Sequence, residues 1–182
     1  MLLISFVSGN LKLSAMRRSI NIVLLVLLIG VSLNAQEYKN SVGVRVGVPL
    51  GFTTMGHSGA TIKHFFDKTN AIEGIVSSYS FGTSIALTGL FENEHWTGIY
   101  PGINWYWGLG AHMGYMDKNA ISSSPSSFNG GGVMGFDGVL GVEYTFDEIP
   151  LNICVDIMPN INLIGYVGPN LFVSGISARY VF

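Results

Sequence analysis

Residues 41–51, SVGVRVGVPLG, place Val42, Val44, Val46 and Val48 at every second position, with Gly43, Arg45 and Gly47 between them. A period of two belongs to a strand, whose successive side chains point to opposite faces. The same alternation recurs along the chain and predicts eight strands, over residues 41–48, 60–66, 70–79, 83–91, 102–115, 132–146, 151–158 and 171–182. One face of these strands is almost uniformly apolar, carrying for example Val44, Ile72, Leu87, Trp107, Phe136, Val142 and Val155. The other holds Gly43, Arg45, Lys63, Glu73, Ser77, Thr88, Asn104, Tyr106, Asp137, Gly141, Glu143, Asn152, Asp156, Ser177 and Arg179.

The polar face decides which side is inside. A solvent-facing sheet surface would be rich in long charged side chains, whereas this one is rich in glycine and small residues, with few charges of both signs. That mixture suits a crowded lumen, and the apolar face then meets lipid. The fold class expected is all-β: an eight-stranded antiparallel up-and-down transmembrane barrel, of a size whose interior side chains just fill. Arg45, Lys63 and Arg179 then project inward with Glu73, Asp137, Glu143 and Asp156, and charges in so confined a space are expected to form a paired, hydrogen-bonded network. A soluble ligand-binding barrel would need the reverse polarity.

Two short links test the register. If Phe66 faces Asn70 across DKT, Lys63 lies opposite Glu73, both on the polar face, and the two are expected to pair. If Phe146 faces Leu151 across DEIP, Val142 faces Val155 and Gly141 faces Asp156, which keeps each pair on one face. His64 falls on the lipid side, near the interface beside Phe66. The segments ENEHWTGIYP, DKT and DEIP are expected at the periplasmic end; residues 49–59, SFG, the serine-rich stretch at 121–131 and PNINLIGYVGPN at the outer end.

Composition sharpens the membrane reading. Only 11% of residues are charged against 48% hydrophobic, with a mean hydropathy of +0.44, whereas soluble domains carry about 25% charge. Part of the excess lies in residues 16–36, MRRSINIVLLVLLIGVSLNAQ, where Arg17 and Arg18 precede a short apolar run and a small-residue cleavage pattern. This has the form of a secretory signal peptide, too short for the roughly 20 apolar residues of a spanning helix. The domain organisation expected is a signal peptide over 1–35, with Met16 a candidate start, and a barrel domain over 36–182. From residue 36 onward, six basic residues stand against eleven acidic ones, a formal charge of −5 that argues against a nucleic-acid partner. The lone Cys154 excludes an internal disulfide and reads as an inert thiol.

The chain ends with Ile176, Ala178, Tyr180 and Phe182 alternating outward. This ending resembles the assembly signal of outer-membrane barrels, whose final aromatic residue is read by the barrel-assembly machinery. The phrases GINWYWGLGAH, GFDGVLGVEYTFDEIPLNICVDIMPNINLIG and ISARYVF extend the resemblance to small outer-membrane β-barrels of the Bacteroidota type, related in architecture to the OmpX and OmpA transmembrane barrels. The resemblance implies an eight-stranded barrel in the outer membrane with periplasmic termini, among lipid and lipopolysaccharide. It implies no catalytic residues and names no external ligand.

Chemistry-bearing motifs are few. There is no HxH, HExxH or CxxC spacing, so no metal or other cofactor is expected, and GLGAHMG lies within a strand, out of context for a phosphate loop. A serine hydrolase acting on lipid would need Ser77 or Ser78 brought to His112, the one histidine expected on the lumen face. The function expected is non-enzymatic, a structural or surface-display barrel with a charge-plugged lumen. A lipid-modifying hydrolase and a narrow channel or transport accessory are the alternatives.

Overall fold

The computed structural model describes residues 38–49, 57–79, 84–117, 129–165, 167–170 and 173–182. The leader at 1–35, the candidate start Met16, the SFG link and most of the serine-rich stretch lie outside them. Ten strands follow in order: β1 (Asn40–Pro49), β2 (His57–Phe65), β3 (Asn70–Tyr79), β4 (Ser84–Trp96), β5 (Ile103–Met116), β6 (Gly131–Thr145), β7 (Leu151–Ile157), β8 (Asn160–Ile164), β9 (Gly168–Asn170) and β10 (Val173–Val181). All pairings are antiparallel. Each of β1 to β6 pairs with the next, β6 pairs with β7 and β8, β7 with β10, β8 with β9, and β10 returns to β1.

These ten segments make eight staves. Leu140 faces Ile157 and Asp137 faces Asn160, so β7 and β8 share one register along β6 and form a single seventh stave. It is interrupted at Met158–Pro159, where proline has no amide proton to give the ladder; the Gly138 amide still donates to the Pro159 carbonyl at 2.8 Å. Likewise β9 and β10 form the eighth stave. The sheet is thus a closed eight-stranded antiparallel barrel, and closure removes the free edges an open sheet would expose. The segment PNINLIGYVGPN, expected as an outer loop, instead prolongs these two staves through β8 and β9. Its asparagines and glycines obscure the alternation.

Polarity runs inside out. Val44 is 62% exposed and Arg45 beside it 1%. Along β1, Val42, Val44 and Val46 stand on the outer surface opposite Tyr180, Ala178 and Ile176 of β10. The seam is sealed at its end by the amides of Asn40 and Phe182, each donating to the other's carbonyl at 2.9 and 2.8 Å. Exposed Phe66, Trp96, Tyr100 and Phe182 gather at the end bearing the short turns, with Tyr115 toward the other, an arrangement matching the aromatic girdles of membrane barrels.

Two strand limits differ by three residues or more from those the alternation predicts. β4 runs on to Trp96, so ENEHW is strand rather than turn; Asn93 and His95 face outward below the apolar band, where hydrophobic alternation no longer marks the strand. β2 begins at His57, which places that histidine on the buried lumen face instead of in a loop.

Candidate functional site: a layered charged lumen

Because β-strand faces alternate, each stave delivers a column of inward side chains, and their axial positions sort them into layers. Nearest the short turns lies a dense charged layer. Lys63 of β2 sets its Nζ 3.0 Å from Glu143 of β6, 3.1 Å from Glu92 and 3.2 Å from Glu94 of β4. The same ammonium lies 4.8 and 4.7 Å from the ring centres of Phe65 and Tyr106, in cation–π range. Arg179 of β10 donates from Nη2 to Glu73 of β3 at 2.5 Å and stands 3.5 Å from Glu143 through Nη1. Thr61 also donates to Glu73. Tyr38, just before β1, donates to Glu143 at 2.8 Å and Asn152 does so at 3.1 Å, so this carboxylate is held from three sides.

One layer further in, Arg45 of β1 grips Asp156 of β7 with both terminal nitrogens, the Nη1 bond measuring 2.6 Å. The Tyr106 hydroxyl donates to the same carboxylate at 2.9 Å. A bidentate guanidinium–carboxylate pair is the strongest arrangement open to these groups. Glycine makes it fit: a Cβ on Gly175 would collide with the Arg45 guanidinium, and one on Gly141 would lie 2.5 Å from the Tyr106 ring.

An apolar cluster shares the lumen with this pair. Ile75, Leu90, Val139, Met158 and Val173 are buried together with Tyr106 and Cys154. Beyond them, toward the other end, His112 of β5 sets Nδ1 2.9 Å from Asp137 of β6 and Nε2 2.7 Å from Asn162 of β8. His57 packs against Tyr79 nearby, ring centres 5.1 Å apart and planes tilted by 33°.

All seven charged positions singled out from sequence are buried in the lumen, but not as one network. Arg45 with Asp156, and Lys63 and Arg179 with Glu73 and Glu143, occupy the first two layers; Asp137 stands apart with His112. The expected Lys63–Glu73 ion pair is corrected. The two are opposite in register, yet Lys63 reaches across to Glu92, Glu94 and Glu143 while Glu73 takes Arg179. In a closed barrel a long side chain can bond to strands facing it across the lumen as readily as to its neighbour. Glu92 and Glu94 were absent from the sequence-derived set because the strand limit fell at Phe91; their spacing of two before Trp96 was the available signal.

Outside the barrel strands, the β2–β3 turn is built on Asp67. Its carboxylate accepts from the Asn70 side chain at 2.8 Å and from the amides of Thr69 and Asn70 at 2.8 and 2.7 Å, which lowers its pKa to about 2.

For a serine hydrolase built on His112 the layout is unfavourable. Both nitrogens of His112 are engaged, by Asp137 and Asn162, so neither is directed at a serine hydroxyl, as a hydrolytic base must be. Among the described residues no cluster of three or more histidine, cysteine or carboxylate side chains is arranged to hold a metal ion.

No family model matches the chain, and no curated protein matches it. Among solved structures it is similar to the N-terminal β-barrel domain of Pseudomonas aeruginosa OprF, with a TM-score of 0.58 and 13% identity over 80% of this chain and 100% of that one. At that identity the likeness is one of fold, and what the two chains share is the closed eight-stranded antiparallel barrel.

Proposed function

We propose that this chain is an integral outer-membrane protein of the small Bacteroidota-type barrel family, exported by a cleaved leader over 1–35, whose role is structural or surface display. The observation that carries the reading is the inverted polarity: a continuous apolar exterior around a lumen holding Arg45, Lys63, Arg179 and their carboxylates. Such a surface is stable in lipid and insoluble in water. The similarity in fold to the OprF barrel domain supports it. In this reading the termini and short turns are periplasmic, Ile176, Ala178, Tyr180 and Phe182 are the segment the assembly machinery reads, and lipid and lipopolysaccharide surround the barrel.

The display role is favoured over a channel because the lumen is filled by two layers of mutually bonded side chains and a buried apolar cluster. It is favoured over a hydrolase because His112 is committed on both nitrogens. The protein is expected to fractionate with outer membranes, to be extracted only by detergent, and to migrate differently on gels before and after boiling. A monomer soluble without detergent would refute the membrane reading. Stepwise current in planar bilayers would replace display with conduction, and an altered lipid A profile on expression would replace it with catalysis.

A further inference from the structure

Past Pro159, the seventh stave is held to β6 by little backbone. β8 matches β6 through three consecutive pairs, Asp137 with Asn160, Phe136 with Ile161 and Gly135 with Asn162, after which the register shifts between Gly135 and Met134. On the other side of these pairs stands Pro159, which has no amide proton to give. A strand bounded in this way has few ladder bonds of its own, and such segments open at a lower free energy than the body of a sheet.

The side chain that crosses this segment is His112. Thr88 of β4, His112 of β5, Gly135 of β6 and Asn162 of β8 lie side by side in one register row. Because Gly135 has no side chain, the imidazole passes over β6 and sets Nε2 2.7 Å from the Asn162 Oδ1; a Cβ at Gly135 would lie 2.7 Å from Cε1 of the ring. The other nitrogen, Nδ1, stands 3.1 and 2.9 Å from the two oxygens of Asp137. One ring therefore ties three strands together. Both of its partners present acceptors, a carboxylate and an amide oxygen, and a neutral imidazole has one N–H whereas an imidazolium has two.

Asp137 gives an independent reason for the second proton. Its carboxylate is buried, and among the described residues the side chain bonded to it is His112, while Arg45, Lys63 and Arg179 are paired with other acids. A buried carboxylate without a counter-charge is costly. We propose that His112 is an imidazolium clasp, a proton-dependent tie that holds β8 to β5 and β6 and lets the part of the seventh stave past Pro159 loosen when the proton leaves. The groups facing the ring are Thr88 from β4, Asp137 from β6 and Asn162 from β8, of which Asp137 alone is charged; His57 of β2 and Tyr79 of β3 pack on each other toward the same end. The clasp is complete at low pH, where both nitrogens donate, and one of its two arms is lost as pH rises through the titration of His112.

Two measurements on the folded barrel in detergent test this between about pH 5 and pH 10, a range that spans the ordinary histidine pKa of about 6.5 and leaves room above it. 15N NMR of labelled histidine is expected to show both nitrogens of His112 protonated at the low end and one at the high end. Over the same titration, amide-exchange protection of β8 relative to β7 is expected to fall roughly tenfold, the worth of one charge-assisted hydrogen bond. Asn162→Ala should lower the protection of β8 at low pH and remove its pH dependence; β8 keeping the native pH dependence in that variant is contrary to the clasp. A His112 carrying a single proton at pH 5, with the Asn162 amide turned to donate to it, overturns the proposal whether or not the variant folds. So does a ring that never titrates, or β8 protection that stays constant relative to β7 while His112 loses its proton.

Discussion

Asp156→Asn is the sharpest test of the lumen geometry, because it changes charge without changing shape. In the native barrel Asp156 accepts both terminal nitrogens of Arg45 and the Tyr106 hydroxyl, and Arg45 has one further side-chain partner, Ser177 at 3.4 Å. Arg45 and Asp156 are both almost wholly buried. Removing one member of such a pair leaves the other charge without its counterion at a cost of about 3–5 kcal/mol. Asparagine keeps one acceptor oxygen, so the loss should fall toward about 3 kcal/mol, roughly two decades in the folding equilibrium at 1.4 kcal/mol per decade. Urea unfolding in lipid vesicles, followed by the fluorescence of Trp96, Trp105 and Trp107, reads it directly. The double variant Arg45→Met with Asp156→Leu removes both charges and should recover most of the loss, since apolar replacements of a buried pair are often neutral or stabilising. An unchanged Asp156→Asn, or a double variant no more stable than the single, would refute a tight, water-poor Arg45–Asp156 pair.

Other surfaces of the barrel give independent outcomes. Gly141→Ala pushes a methyl group into the Tyr106 ring and should destabilise by about 1–3 kcal/mol, as overpacking does, with relief in Gly141→Ala combined with Tyr106→Leu; the same unfolding assay applies. Val44→Arg puts a charge on the exposed outer face and should cost up to about 2–4 kcal/mol in lipid, whereas a soluble barrel would tolerate it. In the β2–β3 turn, the bonds from Asn70 and Thr69 lower the Asp67 pKa from 3.8 to about 2. A depressed carboxylate contributes stability that is complete above its unfolded pKa and disappears as pH falls through the folded one, so the turn should loosen between about pH 4 and pH 2; an Asp67 carboxyl titrating at its ordinary value would contradict this. Deleting Phe182 removes both backbone bonds to Asn40 at the seam and should reduce the heat-modifiable form recovered from membranes.

The polarity of the barrel was legible in Arg45 and its flanking valines because alternation reports strand faces directly, and glycine beside charge reports a confined face. The hairpin registers were legible too, since a short turn leaves little freedom: the Phe66 amide donates to the Asn70 carbonyl, and Val142 faces Val155. Where outward positions become polar, as at Asn93 and His95, the pattern no longer distinguishes strand from loop, and Glu92 and Glu94 were lost with it. The Met158–Pro159 interruption hid β8 for a related reason, a proline and two asparagines reading as loop while the register continued. Ion-pair partners were the least legible. Register fixes which residues lie beside each other on adjacent strands, but Lys63 bonds to Glu143 and Arg45 to Asp156 across the lumen, and those distances depend on the closure of the whole barrel.

The order of the layers bears on what the lumen does. An ion entering from the end with the short turns meets Lys63 and Arg179 already coordinated by four glutamates, then the Arg45–Asp156 clamp, with an apolar cluster of Ile75, Leu90, Val139, Met158 and Val173 sharing the lumen with it. The layer around Lys63 could exchange partners at modest cost, since three carboxylates lie within its reach. The apolar cluster offers no polar substitute for a hydration shell, so passage along it would require dehydrating the ion against hydrocarbon. Conduction therefore needs two changes at once, rearranged ion pairs and a loosened apolar cluster. Polar substitutions at Leu90 and Val139 should be necessary for any current, and charge variants at Lys63 or Arg179 alone should leave the barrel closed. Current from a single Lys63→Gln variant would show that the charged layer, and not the apolar cluster, is what seals the lumen.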